Sequence, residues 1–123
     1  MISQDNTAMS ELDKIRDELR EFVKDRDWDQ FQSPKNLAMA LSVEAAELLE
    51  HFQWLTEDQS AKLPAEKQKQ VAQEMSDILI YLVRLSDKLD IDLLTEATEK
   101  LKLNAEKYPA EKVRGSAKKY NEY

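Results

Sequence analysis

Residues 41–54 read LSVEAAELLEHFQW, and their pattern decides the fold class. Leu37, Leu41, Ala45, Leu48, Phe52 and Leu55 recur at helical spacing and form one apolar stripe. At 100° per residue Glu44 falls at the edge of that stripe, with Glu47 about 60° further round. Carboxylates so close to a core are costly unless a positive group meets them. A second segment, EMSDILIYLV at residues 74–83, repeats the arrangement. Glu74 and Asp77 lie there beside the stripe Val71, Met75, Ile78, Leu82, Leu85 and Leu89. Packed antiparallel, the two helices gather four acidic groups around one point.

Composition agrees with helix almost throughout. The chain has 123 residues with a single glycine and three prolines, and is rich in Ala, Leu, Glu and Lys. That length suits one small domain with a limited core of its own, so oligomerisation is expected. The absence of cysteine excludes disulfides, a thiol nucleophile and a thiolate metal site. A net charge of −7 disfavours nucleic-acid polymers and anionic membranes as partners. No apolar run approaches a bilayer span or a signal segment, which predicts a soluble cytoplasmic protein.

In chain order, residues 1–9 lack periodicity and read as a disordered extension before one helical domain at 10–123 with a basic C-terminal tail. Ser10 caps a helix reaching about Asp27, buried through Leu12, Ile15, Leu19, Phe22 and Val23. Residues 28–32 interrupt the pattern. Ser33-Pro34 starts a second helix that carries the first acidic pair to about Leu55, and a loop covers 56–63. Pro64 opens a third helix to about Leu89. Its Ile78–Val83 section is apolar nearly all round, which points to burial against another subunit, in a dimer or dimer of dimers. A fourth helix runs from about Asp92 to Lys107, and Pro109 with Gly115 closes the regular structure.

Carboxylates at E-x-x-E and E-x-x-D spacing reach one ion from one helix flank and suit a hard cation, Mg²⁺ or Mn²⁺. The plainer reading makes them solvated helix residues, but their neighbours argue for a ligand site. Helical spacing puts His51 between Glu44 and Glu47, Trp54 next to Glu47, and Tyr81 between Glu74 and Asp77, with Arg84 just beyond. A carboxylate-bridged di-iron bundle needs Glu-x-x-His on paired helices. Here the residue three before the only histidine is Leu48.

The acidic pairs EAAE at 44–47 and EMSD at 74–77 are similar to the signature of the MazG-like, all-α nucleoside triphosphate pyrophosphohydrolases. RDWDQFQSPKNLA at 26–38, ELLEHFQW at 47–54, DILIYLV at 77–83 and KLKLNAEKYP at 100–109 resemble its single-domain dCTP pyrophosphatase branch. The likeness covers most of residues 15–121. It implies a four-helix MazG-like bundle completed by dimerisation, often a tetramer, with Mg²⁺ held by Glu44, Glu47, Glu74 and Asp77. It also implies a base pocket drawing on Trp28, Trp54, Tyr81 and Asn104, and phosphate contacts from Lys100, Lys107 or Tyr108. The broader signature begins with two adjacent acids, and Val43 stands in the first place here. That leaves open the role of the extra acid and whether Glu50 assumes it.

The implied chemistry is attack of a metal-bound water on the α-phosphorus of a (deoxy)nucleoside triphosphate, releasing pyrophosphate and a monophosphate, with Glu47 or Glu50 as base. A chain with one glycine has no Gly-rich phosphate loop, so metal ions must do what backbone amides do in a P-loop. The preference expected is for dCTP or related, including modified, deoxynucleotides in a housecleaning role. The alternative is a non-catalytic helical dimer that binds nucleotides or a protein partner, its acids serving solubility.

Overall fold

The computed structural model describes residues 9–117, and all regular structure among them is helical. The long helices are α1 (Glu11–Asp25), α2 (Pro34–Glu50), α4 (Ala65–Lys88) and α5 (Leu93–Lys107). Two short ones, α3 (Glu57–Ala61) and α6 (Ala110–Val113), and a 3₁₀ turn at Asp29–Phe31 complete the set. The all-α class and the four long helices are those expected from the sequence. The extension expected at residues 1–9 lies outside the described residues except for Met9, as does the end of the basic tail. The chain divides into two compact units after Asp90.

Helix starts follow local chemistry. The Ser10 hydroxyl accepts from the Asp13 amide at 3.0 Å while Asp13 accepts from the Ser10 amide at 3.2 Å, a reciprocal capping box. Ser33 accepts from the Asn36 amide, with Pro34 in the first turn. α1 ends where the Asp27 and Trp28 amides reach back to the Lys24 and Val23 carbonyls and Asp27 adopts φ 53°. That left-handed cap turns the chain and sets Trp28 beside the helix it has just left.

In the first unit α2 and α1 both pack on α4. Gln32 meets Arg84 before α2 begins, Glu44 meets Glu74 and Asp77 midway, and His51 meets Lys67 at its end, so α2 and α4 run antiparallel. Leu37, 2% exposed, is the innermost side chain, with Val23, Val71 and Val83 also buried.

Phe22, expected in the buried stripe of α1, is 44% exposed, and three further features differ from expectation. α2 stops at Glu50 rather than near Leu55, because residues 51–55 continue as turns bonded to Leu48, Leu49 and Phe52 carbonyls. The segment expected to be a loop contains α3, capped reciprocally by Thr56 and Gln59. On α4, Met75 is 57% exposed and Leu89 is also exposed, whereas residues 81–88 are buried or half-buried all the way round. The inward face therefore leans toward the flank that carries the acids.

Long-range polar contacts join the elements of this unit. Asp87 receives two bonds from Arg20 at 2.6 and 2.8 Å and one from buried Arg84 at 3.4 Å. The Arg20 guanidinium holds the Asp87 carboxyl below its ordinary value of 3.8. A depressed carboxyl stabilises the fold fully above its unfolded pKa, and that contribution is lost as pH falls through the lower folded value. Asp87→Asn should cost about 3 kcal/mol in urea denaturation at neutral pH, because Arg84 is left buried and short of an anionic partner. The difference from wild type should shrink as pH falls below 3.8.

Candidate metal centre

The facing flanks of α2 and α4 bring half-buried Glu44 and Glu74 together with exposed Asp77, one oxygen from each lying within 4.8 Å of the others. An octahedral Mg²⁺ spans about 4.2 Å between opposite oxygens, so small side-chain movements close these three on one hard ion. Glu44 Oε2 and Glu74 Oε2 are buried and accept no hydrogen bond from any described residue. Two orphaned, inward-facing carboxylate oxygens beside a third acid fit a bound cation, since an unpaired buried acceptor is otherwise a cost. The all-oxygen donor set suits a hard divalent ion.

Burial, followed by the carboxylates of Glu74 and Glu47 close by, pushes Glu44 up to about 7. In effect a proton competes for the place that a cation would hold. Glu47 is half-buried beside Glu44 but lies outside the trio, and Glu50 is exposed at the last residue of α2. His51 faces the other oxygen of Glu74, Nε2 to Oε1 being 3.9 Å, and its Nδ1 lies 3.4 Å from Lys67 Nζ.

Two cavities adjoin this flank. One of 250 Å³ is lined by Trp28, Phe31, Gln32, Asn36, Leu37, Ala40 and Tyr81. The other, 470 Å³, shares Trp28, Gln32 and Tyr81 and adds Phe22, Leu19, Ile80 and Asp77 among its walls. Phe22 and Trp28 meet edge to face at 5.7 Å, and Arg26 lies over the Phe22 ring at 3.7 Å. The larger cavity is thus aromatic and apolar over much of its wall and touches the acid cluster through Asp77.

The sequence-derived set therefore divides. In the first unit Glu44, Glu74 and Asp77 form one cluster, and Asp77 lines a cavity with Trp28 and Tyr81. Trp54 lies four residues past the end of α2, so the helical spacing that set it next to Glu47 does not extend to it, and its side chain is 86% exposed. Lys100, Asn104 and Lys107 sit on α5 and Tyr108 caps its end, all in the second unit. Gln32 and Asn36 line a cavity without having been singled out; their signal was a polar pair flanking the Ser33-Pro34 helix start.

These features place the chain in a class of all-α proteins with a carboxylate cluster on two antiparallel helices. A family model described as the MazG-like family matches residues 39–123, and the chain belongs to that family. The Homo sapiens protein dCTP pyrophosphatase 1 is 40% identical over 113 residues, which are 90% of this chain and 66% of that protein. Its Mus musculus counterpart is 41% identical with the same coverage. The chain thus spans about two thirds of the length of the curated relatives it matches. The crystal structure of a pyrophosphatase from Archaeoglobus fulgidus DSM 4304 is similar at a TM-score of 0.77 and 37% identity, covering 83% of this chain and 95% of that one.

Because the folded Glu44 carboxyl keeps a proton that the unfolded chain surrenders near 4.5, the metal-free protein should lose stability as pH rises from about 4.5 to about 7. Thermal melts in chelator should show this decline, and Glu44→Gln should flatten it. Saturating divalent cation should stabilise more as pH rises, since it competes with the proton. Parallel curves for wild type and Glu44→Gln would contradict the assignment.

Proposed function

We propose that this protein is a divalent-metal-dependent nucleoside triphosphate pyrophosphohydrolase that converts a (d)NTP, with dCTP or a related deoxynucleotide preferred, to the monophosphate and pyrophosphate. The observation that carries the reading is the trio of carboxylates with two orphaned buried oxygens, whose third member, Asp77, lines an aromatic-walled cavity. The names of its relatives, dCTP pyrophosphatase 1 and a pyrophosphatase, support the reaction and the base.

Glu44, Glu74 and Asp77 hold the cation, Mg²⁺ or Mn²⁺, and Glu47 beside them is the fourth ligand. Bound there, the ion neutralises phosphate charge and supplies Lewis acidity. The base lies against Trp28 and Tyr81, which orients the triphosphate with its α-phosphorus toward the acids. Glu47 is better placed than exposed Glu50 to take the proton from the attacking water. Trp54, exposed as it is, serves by closing over substrate or against a second chain. The substrate contacts expected of Lys100, Asn104, Lys107 and Tyr108 rest on the resemblance of their own segment. The family match runs through both units and supports reading 10–123 as one functional domain. No helix among the described residues is long and apolar enough to cross a membrane, and a nucleotide substrate suits the cytoplasm.

Pyrophosphate release from a panel of triphosphates, with and without Mg²⁺, tests the reaction. Glu44→Gln, Glu47→Gln, Glu74→Gln and Asp77→Asn should each lower kcat at least about 100-fold in a folded protein. Near-normal turnover in any two would defeat the ligand set.

Assembly is the second part of the proposal. Met39, Val43, Leu49, Met75 and Leu79 are all exposed large apolar side chains on α2 and α4. An apolar surface of that kind favours a homodimer or homotetramer. Light scattering at micromolar concentration should report a mass at least twice that of one chain; a monodisperse monomer would exclude it.

A further inference from the structure

We infer that Gln32 reads the pyrimidine ring of the nucleotide by donating to N3, and that Arg84 sets the direction of that hydrogen bond. The inference rests on the nucleotide reading proposed above.

Arg84 is 7% exposed and its guanidinium offers donors only. Nη2 donates to Asp29 Oδ1 at 2.5 Å, Nη1 to Asp87 Oδ2 at 3.4 Å and Nε to Gln32 Oε1 at 2.7 Å. A donor-only neighbour can face only the oxygen of a carboxamide. The Gln32 NH₂ group is therefore turned away from Arg84, and no described residue accepts from it. Gln32 also lines both cavities together with Trp28 and Tyr81, and the larger of them touches Asp77. A nucleotide with its phosphates at the acid cluster and its base against Trp28 and Tyr81 thus meets an unused donor whose polarity is set from behind.

N3 is the ring position where pyrimidines differ in polarity: it accepts in cytosine and carries a proton in uracil and thymine. A freely rotating amide would present its oxygen to one and its NH₂ to the other, and would discriminate little. Rotation of Gln32 would break the 2.7 Å bond and set NH₂ against a buried guanidinium N–H. The fixed donor accepts cytosine and leaves uracil or thymine facing it donor to donor, the kind of mismatch by which a polar site rejects the wrong substrate.

Gln32→Glu is the sharp test, because it keeps an oxygen for Arg84 and replaces the outward donor by an acceptor. Both kcat/KM for dCTP, dUTP and dTTP and Kd for the α,β-imido analogues of dCTP and dUTP should be measured with Mg²⁺ present. The dCTP:dUTP ratio should fall at least about tenfold in both measurements, through loss of dCTP and not a uniform decline. Gln32→Leu should lower the ratio less, since it removes the donor without adding an acceptor. Circular dichroism and melting confirm that the variants fold. An unchanged ratio in folded Gln32→Glu overturns the inference, as does a wild type that binds both analogues equally or neither. If wild type binds the dCTP analogue preferentially, the preference shifts in Gln32→Glu and no triphosphate is hydrolysed, the hydrolase reading fails while the role of Gln32 stands.

Discussion

Like charge held at close range inside a helix pair is the constraint on which the rest of the first unit depends. Glu44, Glu74 and Asp77 converge on one point, and two of their oxygens are buried without a partner. Such a cluster opposes the folding that creates it, and the rise of Glu44 to about 7, from burial first and from the neighbouring carboxylates of Glu74 and Glu47 next, is the sign of that opposition. The apolar contacts of α2 on α4, centred on Leu37 and Val71, must hold the helices together against it. A proton relieves part of the repulsion and a divalent cation relieves more, so the same arrangement that strains the fold makes it receptive to metal.

Charge is handled in the opposite way at the far end of the same interface. Around Arg84 cations and anions alternate: Asp29 lies between Arg84 and Lys88, and Asp87 between Arg84 and Arg20. The Lys88 ammonium, with Arg84 beyond it, keeps Asp29 below its ordinary pKa of 3.8. The network ties α1, the 3₁₀ turn and α4 into one frame and thereby fixes the aromatic wall that Trp28 contributes. The acids midway along α2 and α4 are left unsatisfied while the charges around Arg84 are paired, a contrast expected where a site rests on a rigid support.

The parts of this arrangement that depend on local spacing were legible in the sequence. Ser10 and Ser33-Pro34 announced helix starts because a cap acts over three residues, and the acidic pairs were visible because i,i+3 spacing puts them on one flank. The end of α2 was not legible, since Phe52 and Leu55 keep the apolar rhythm and remain half-buried after the backbone has left the helix. Trp54 falls outside the helix for the same reason. α3 has no apolar periodicity, although the Thr56 and Gln59 pair carried a capping-box signal. Gln32 could not be found by spacing, because its orientation is decided by Arg84, 52 residues away.

α4 explains why so much of the site can lie on one helix. Glu74, Asp77, Tyr81, Arg84 and Asp87 follow one another at three- or four-residue intervals, so they run along one side of it. At 1.5 Å per residue the step from Asp77 to Arg84 covers about 10 Å, comparable with the distance from the α-phosphorus of a nucleotide to the far edge of its base. In the proposed reading the order of residues along α4 is the order of parts along the substrate: phosphates at the acids, ring at Tyr81, base edge at the amide that Arg84 holds. Asp87 then lies beyond the substrate and anchors Arg84 with Arg20. A change of crossing angle between α1 and α4 would reach the base edge before it reached the metal ligands. In the same reading, preference among bases can vary while the carboxylate cluster stays where it is.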